Sequence, residues 1–430
     1  MTASPEALIR WIDSQPEEDR RLLQAATGLD QGGEVLPGPM AVGLAVSGGG
    51  DSMALLHLLA ATAPLMGFRV EVATVDHRLR PESADEAAFV ARTCASLGLH
   101  HDTLPWTDHP VTGNLMQAAS EARRALLAQW ARQRGLARVA MAHTSDDQAE
   151  GFLMALARGT GLDGLCGMRR DWMEHGISFI RPLLRMSRQD LRGYLQRHGL
   201  TWCEDPTNED DRYTRSRARK AMKALAPLGI VEGRLTDTMR SLADVRRVLD
   251  VTLGGFVERS VQEGAGTLFL RRTLYLDLPH LLRRRLLALV IRWMSGARHP
   301  PRSEPLFELS MALRDPCTMT LGGCIFKNGG SQIGIVREPR AVQPRIAATG
   351  RWDHRWQVEA DFQPGQEIGA LGEDGLQQCP DWRETGLAWE MLRVTPAIWQ
   401  DDTLIAAPCA GFGAATATCA PSFHQFLLSH

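Results

Sequence analysis

Lysine is nearly missing from this chain. Of its 48 basic residues only Lys220, Lys223 and Lys327 are lysines, and all the others are arginine. No lysine precedes position 220, so a phosphate loop built on a Gly-Lys pair is excluded, as is a lysine nucleophile in the first half. Cysteine pairs are missing too. The eight cysteines contain no C-x-x-C spacing, which argues for reduced structural thiols over a zinc or iron–sulfur site. An excess of one charge is absent: 48 basic against 50 acidic residues leave a net charge of −2, so bulk charge points to no polyanion partner. No apolar run is long enough to span a bilayer. The longest candidate, Ala54 to Phe68, has 15 residues, contains His57 and Thr62, and reads as a buried helix with its exit. The start of the chain, MTASPEALIRWIDSQPEEDR, is polar and acidic without a signal-peptide core, so no membrane partner and a cytoplasmic location are expected. What remains is an ordinary globular balance, 44% hydrophobic and 23% charged, over 430 residues, enough for two or three domains.

The first half alternates strand and helix signals. The runs at 41–46, 68–77, 100–106, 137–144 and 177–184 read as strands. The stretches at 53–65, 82–97, 114–134, 146–158 and 188–196 read as helices. This order predicts an α/β fold, a doubly wound parallel sheet with helices on both faces. Ligands of such sheets sit at the carboxyl ends of the strands. Past residue 222 the texture changes. Residues 230–300 are rich in Leu and Arg at helical spacing, residues 318–337 look β-like, and from Pro339 periodicity is weak. The expected division is 1–222, a nucleotide-binding catalytic domain; 223–338, a mainly helical domain; and 339–430, a small α+β domain.

The segment VSGGGDS (46–52) follows a strand and opens a helix. Gly48, Gly49 and Gly50 let backbone pass close to a ligand, with N–H groups and a helix N-terminus directed at an anion. Ser47 and Ser52 add hydroxyls. Asp51 would repel a bound phosphate unless Mg²⁺ lay between them, so the reading is nucleotide phosphate plus magnesium. The competing reading is a glycine turn with an Asp cap. A dinucleotide fingerprint starting at Gly48 and Gly50 puts its third glycine on Met53, although Asp76 keeps dinucleotide binding open as a rival.

With its acid in place of lysine, SGGGDS resembles the PP-loop of ATP pyrophosphatases, which split ATP between the α- and β-phosphates and adenylate an oxygen. Four further segments, in order, resemble one branch, the tRNA(Ile)-lysidine synthetase family. They are VDHRLRPESADEA (75–87), AHTSDDQAEGFLMALARGTGLDGLCGM (142–168), IRPLLRMSRQDLRGYLQRHGLTWCEDPTN (180–208) and YTRSRAR (213–219). The likeness covers about residues 41–222 and is loose beyond. It implies a Rossmann-like PP-loop ATPase domain, ATP and Mg²⁺ as cofactors, and free L-lysine and tRNA(Ile) with a CAU anticodon as partners.

The resemblance also distributes roles. Ser47, Gly48, Gly49, Gly50, Asp51, Ser52 and His143 would bind the nucleotide, with Asp51 placing the metal. Asp147 and Glu150, spaced i, i+3 on one helix face, would hold lysine by its amino groups. Arg123 and Arg215 would act in catalysis, and Arg158 and Arg219 in substrate binding. Each has a plainer alternative: first-turn dipole complementation for Asp146, Asp147 and Glu150, a packed histidine for His143, a C-cap for Arg158, a solvated face for the basic run 212–223. The chain departs from the family pattern at Ser120 and Arg124, where Arg and Tyr are usual, and at Gly151, Thr207 and Ala218. The rival functions are a tRNA cytidine thiolase of the same superfamily, which would want paired cysteines, and a non-catalytic tRNA-binding protein.

Overall fold

The computed structural model describes residues 5–29, 41–79, 82–109, 115–204 and 214–429. The chain forms two compact units, residues 1–246 and 247–430. The first opens with two helices that the strand–helix alternation did not include, α1 (Pro5–Asp13) and α2 (Glu17–Thr27). Then come β1 (Ala41–Ala45), α3 (Gly50–Met66), β2 (Arg69–Asp76), α4 (Ser83–Ser96), β3 (His100–Pro105) and α5 (Leu115–Gln133). They are followed by β4 (Arg138–Met141), α6 (Ser145–Ala157), α7 (Leu162–Leu165), β5 (Asp171–Glu174), β6 (Ile177–Ile180), α8 (Arg188–Arg197) and α9 (Thr214–Leu225). The long helix α10 (Glu232–Ser260) contains the division between the units.

The sheet order is β3-β2-β1-β4-β6-β5. Strands β3 to β6 run parallel, and β5 adds an antiparallel edge by folding back on β6. That hairpin escapes a reading based on strand–helix alternation, because its two strands are only four residues each and meet at a His175–Gly176 turn. The order reverses at β1, which pairs with β2 on one side and β4 on the other. Such a reversal opens a crevice above the carboxyl ends of the two strands.

Helix α3 shows why the sheet is covered on both faces. Met53, Ala54, Leu55, Leu56, Leu58 and Leu59 are all fully buried, so this helix is apolar nearly all round. Each buried leucine contributes about 1.5–3 kcal/mol of transfer free energy. On the opposite face, a side chain at Gly43 in β1 would begin 2.8 Å from the Trp130 ring of α5, so glycine there is what lets α5 lie flat on the strand. The N-terminal pair packs on the same core through Leu8, Ile12, Leu22 and Leu23. It is tied down by Asp19, a buried carboxylate that accepts from Arg197 Nη2 at 2.5 Å and pairs with His198 Nε2 at 2.7 Å.

In the second unit the Leu- and Arg-rich stretch 230–300, read at helical spacing, holds helices interrupted by a β-hairpin. After α10 come β7 (Val261–Gly264) and β8 (Thr267–Arg271), a hairpin turning at Ala265 and Gly266, both at positive φ. Then follow α11 (Arg272–Asp277), α12 (His280–Ser295), α13 (Ser303–Ala312), β9 (Cys317–Leu321), β10 (Cys324–Asn328) and β11 (Gln332–Arg337). The sheet β7-β8-β11-β10-β9 is antiparallel and buries Leu268, Leu270, Phe326 and Ile335 against Leu286, Val290 and Ile291 of α12. Beyond Pro339 lie two small sheets of short strands, one of four and one of three. They share a core of Trp352, Trp356, Val358, Ile368 and Ile398.

Candidate active site

The loop after β1 is set by glycine. Gly48 has φ +87°, a left-handed conformation that a side chain disfavours, and it turns the chain into α3. The loop is held internally: the Ser47 N–H donates to Ser52 Oγ at 3.1 Å, and the Ser52 hydroxyl donates to the Gly49 carbonyl at 2.9 Å. It is also pinned from outside, since the Cys203 N–H donates to the Gly48 carbonyl at 2.9 Å. Trp202 lies 3.5 Å from where a side chain at Gly50 would begin. A bare backbone therefore faces the crevice at the N-terminus of a 17-residue helix.

The loop after β4 brings a second helix N-terminus beside the first. Thr144 caps α6 in a reciprocal box with Asp147. Asp147 Oδ2 accepts from the Thr144 N–H at 2.9 Å and from its hydroxyl at 3.1 Å. One oxygen of Asp147 thus does the capping work that was the plainer reading, and the other stays turned to the crevice. Glu150, one turn on, is 3% exposed, and its Oε2 is buried without a hydrogen-bond partner. The far face of α6 packs Ala149 and Phe152 against Leu235 and Met239 of α10, which fixes the rotation of the helix and so aims both carboxylates.

Arg188 joins these parts. It opens α8, whose first turn lies against the same crevice. Its Nε donates to Asp51 at 3.2 Å, Nη1 to Glu150 at 3.2 Å and Nη2 to Asp147 at 3.3 Å. Its backbone N–H donates to Asp146 Oδ2 at 2.7 Å. One residue therefore meets four carboxylates drawn from α3 and α6. Three helix N-termini converge here, and acids in their first turns complement the helix dipoles. Burial pushes the Asp51 carboxyl above its ordinary value, with repulsion from Asp147 and Asp146 adding to it against the pull of Arg188. Burial would also raise Asp147, but Arg188, the Thr144 N–H and Arg215 together hold it below its ordinary value.

A cationic wall faces the acids. His143 ends the β4 loop, and burial, reinforced by Arg181 and Arg123, pushes it down to about 3, so it is neutral. Arg181 Nε donates to His143 Nδ1 at 3.1 Å, which places the imidazole proton on Nε2. Arg181 also lies 3.7 Å over the Trp172 ring of β5. Arg123 on α5 is pushed down to about 10 by burial and by Arg215 and Arg124, and its Nε is buried without a hydrogen-bond partner. Guanidinium groups that depress one another's proton affinity mark a place short of negative charge.

Most of the residues expected from the sequence come together: Ser47 to Ser52, Arg123, His143, Asp147 and Glu150, with Arg215 close enough to shift Arg123 and Asp147. Arg219 reaches Glu150 at 2.6 Å. Arg158 does not join them. It is the exposed C-cap of α6, about 12 Å of helix rise beyond Glu150. The DPTN segment at 205–208 and Tyr213 lie outside the described residues. Sequence reading missed Arg188 and Arg181 as site residues. The signal was in the segment RPLLRMSRQDL, where both stand at the arginine places of the pattern RPLLxxxRxxL.

The glycine cradle, two serines and three helix N-termini fit the phosphates of ATP. Among the described residues no three His, Cys, Asp or Glu side chains gather as a ready metal site. A divalent cation would then rest on Asp51, phosphate oxygens and water, a usual mode for Mg²⁺.

A PP-loop domain family matches residues 21–225. The tRNA(Ile)-lysidine synthase of Ruegeria pomeroyi is 42% identical over 397 residues, covering 91% of this chain and 95% of that protein. The tRNA(Ile)-lysidine synthase of Wolbachia pipientis is 30% identical over 379 residues, covering 85% and 88% respectively. Among solved structures, a U34-tRNA thiolase from Methanococcus maripaludis aligns with a TM-score of 0.45 at 18% identity, over 56% of this chain and 80% of that one.

Proposed function

The chain belongs to the tRNA(Ile)-lysidine synthase family, and on that premise we propose how its residues divide the reaction. It is an ATP-using, tRNA-modifying ligase. Its substrates are free L-lysine and the wobble cytidine of tRNA(Ile) with a CAU anticodon. An anticodon loop can offer that base unstacked at small cost.

The loop from Ser47 to Ser52 holds the phosphates through backbone N–H groups. Mg²⁺, bound beside Asp51, would neutralise phosphate charge. The cytidine oxygen at carbon 2 attacks the α-phosphate, and pyrophosphate leaves toward Arg123 and Arg215, whose clustered positive charge suits a departing polyanion. Neutral His143 keeps an N–H on Nε2 to donate to the nucleotide or the adenylate. Asp147 and Glu150 hold lysine by its amino groups. The attacking amine must be neutral, and the free Oε2 of Glu150 is the acceptor placed to take its proton. The amine then adds at carbon 2 and AMP departs. Exposed arginines of the first unit, Arg158 and Arg234 among them, supply contacts to the tRNA backbone. The finer division of the chain at residues 222 and 338 is kept within this reading.

The observation that carries the proposal is the meeting of the loop acid Asp51 with Asp147 and Glu150 on a single guanidinium, which supports a reading in which the adenylating half and the amine half of the reaction share one crevice. The test supplies a transcript of this tRNA, ATP and labelled lysine. Label is expected on the RNA with release of AMP and pyrophosphate, and both are expected to vanish in Asp51→Ala. Release of ADP and orthophosphate would overturn it.

A further inference from the structure

We propose that Arg188 is a built-in substitute for the incoming amine: its guanidinium stands between Asp147 and Glu150, and lysine must displace it to bind. The inference rests on the reading that these two carboxylates hold the amine.

Three observations support it. The guanidinium uses Nη1 on Glu150 and Nη2 on Asp147, the same two acids, so a cation already fills the space between them. These contacts, at 3.2 and 3.3 Å, are longer than the 2.7–2.9 Å usual for charged pairs, as one group stretched over three acids must be. Glu150 meanwhile keeps Oε2 buried and unpartnered. An ammonium arriving there gains an acceptor that no other group uses, and it brings a third positive charge onto the carboxylate that Arg188 and Arg219 already share. Repulsion then drives the guanidinium off, while Arg219, at 2.6 Å, keeps Glu150 in place.

Arg188 also has somewhere to go. It lines a cavity of about 800 Å³ between α2 and α8, whose wall includes Glu17, Glu18, Arg21, Arg192 and Arg197. Arg192 and Arg197 are already paired with Glu204 and Asp19. Glu17 and Glu18 are exposed acids in the first turn of α2 and can receive a displaced guanidinium.

The experiment is calorimetric binding of L-lysine to the full chain without ATP or tRNA, so that no turnover enters the reading. Arg188→Met should bind lysine about tenfold tighter than the unaltered chain, the size of one like-charge contact at a partly solvated site. The pair Glu17→Gln, Glu18→Gln, which touches none of the crevice acids, should bind it several-fold more weakly. Equal or weaker binding by Arg188→Met, with the expected loss in Glu150→Gln, would overturn the substitute role and leave the amine site standing. Undiminished binding by Glu150→Gln and Asp147→Asn would instead remove the amine site, and this proposal with it. Should Arg188→Met fail to fold, the cavity pair decides: unaltered lysine affinity there overturns the displacement.

Discussion

The N-cap of α6 and a residue of its second turn separate folding from chemistry. Thr144 caps the helix and carries no charge, whereas Glu150 presents an unshared oxygen. Thr144→Ala should cost about 1 kcal/mol of stability in denaturant melts, the usual value of an N-cap, and keep most lysine transfer. Glu150→Gln should lose at least about a hundredfold in transfer, the low end for removing a general base. The opposite pattern would assign Glu150 to the fold. Asp51 gives a pH signature. Without metal its carboxyl titrates above an ordinary aspartate, so binding of Mg²⁺, which needs the carboxylate, should weaken on the acid side earlier than a free aspartate would dictate. Asp146 is one of the charges that raise it, so Asp146→Asn should move that acid limb to lower pH. A limb that stays or moves upward counts against Asp51 as the titrating group.

At the scale of elements, the N-terminal helices hang on one buried acid. Asp19 lies below its ordinary value: burial pushes it up, but the bonds from Arg197 and His198 outweigh this. A depressed acid contributes stability that is complete above its unfolded value of 3.8 and is lost as pH falls through its lower folded value. Docking of α1 and α2 should therefore persist at neutral pH and loosen in strong acid. Asp19→Asn should cost about 2 kcal/mol at neutral pH and flatten the acid loss, as read by urea titrations at several pH values. These helices also show where sequence reading stops. Of the five parallel strands, β1, β4 and β6 were legible as short apolar runs, and the polar β3, HHDTLP, only by its place in the strand–helix alternation. The segment before the phosphate loop has no strand to alternate with, and the polar contacts that help to bind it, from Asp19 to Arg197 and His198, span 178 and 179 residues of sequence. Asp51, Asp147 and Glu150 were found because motif and helix spacing place them. Arg188 was overlooked because what matters there is a meeting of α3, α6 and α8, and an arginine at a helix start looks like any other.

Across the whole molecule, the two units keep separate cores, and many arginines of the second work inside it. Arg285 pairs with Asp250 at 2.7 Å, and Arg337, 5% exposed, pairs with fully buried Asp353 at 3.2 Å. The arginine-rich texture of this half is thus partly internal bracing and not all a surface for RNA. Asp353→Ala should cost about 3–5 kcal/mol, because it strands a buried cation. In calorimetry the loss should fall on the unit of residues 247–430, with binding of an ATP analogue retained. Loss of nucleotide binding would show that the units unfold together.

The hydrogen bond from Cys203 to the Gly48 carbonyl has a practical outcome. It puts a sulfur 3.5 Å from the spot a side chain at Gly48 would claim, so an adduct on that thiol has to deform the phosphate loop. Burial, with Glu86 beside it, raises the thiol, so labelling calls for mildly alkaline buffer. Under those conditions ATP should slow alkylation at Cys203, and the rate of a simple maleimide reaction becomes a gauge of how full the loop is, read from an atom that takes no part in the chemistry.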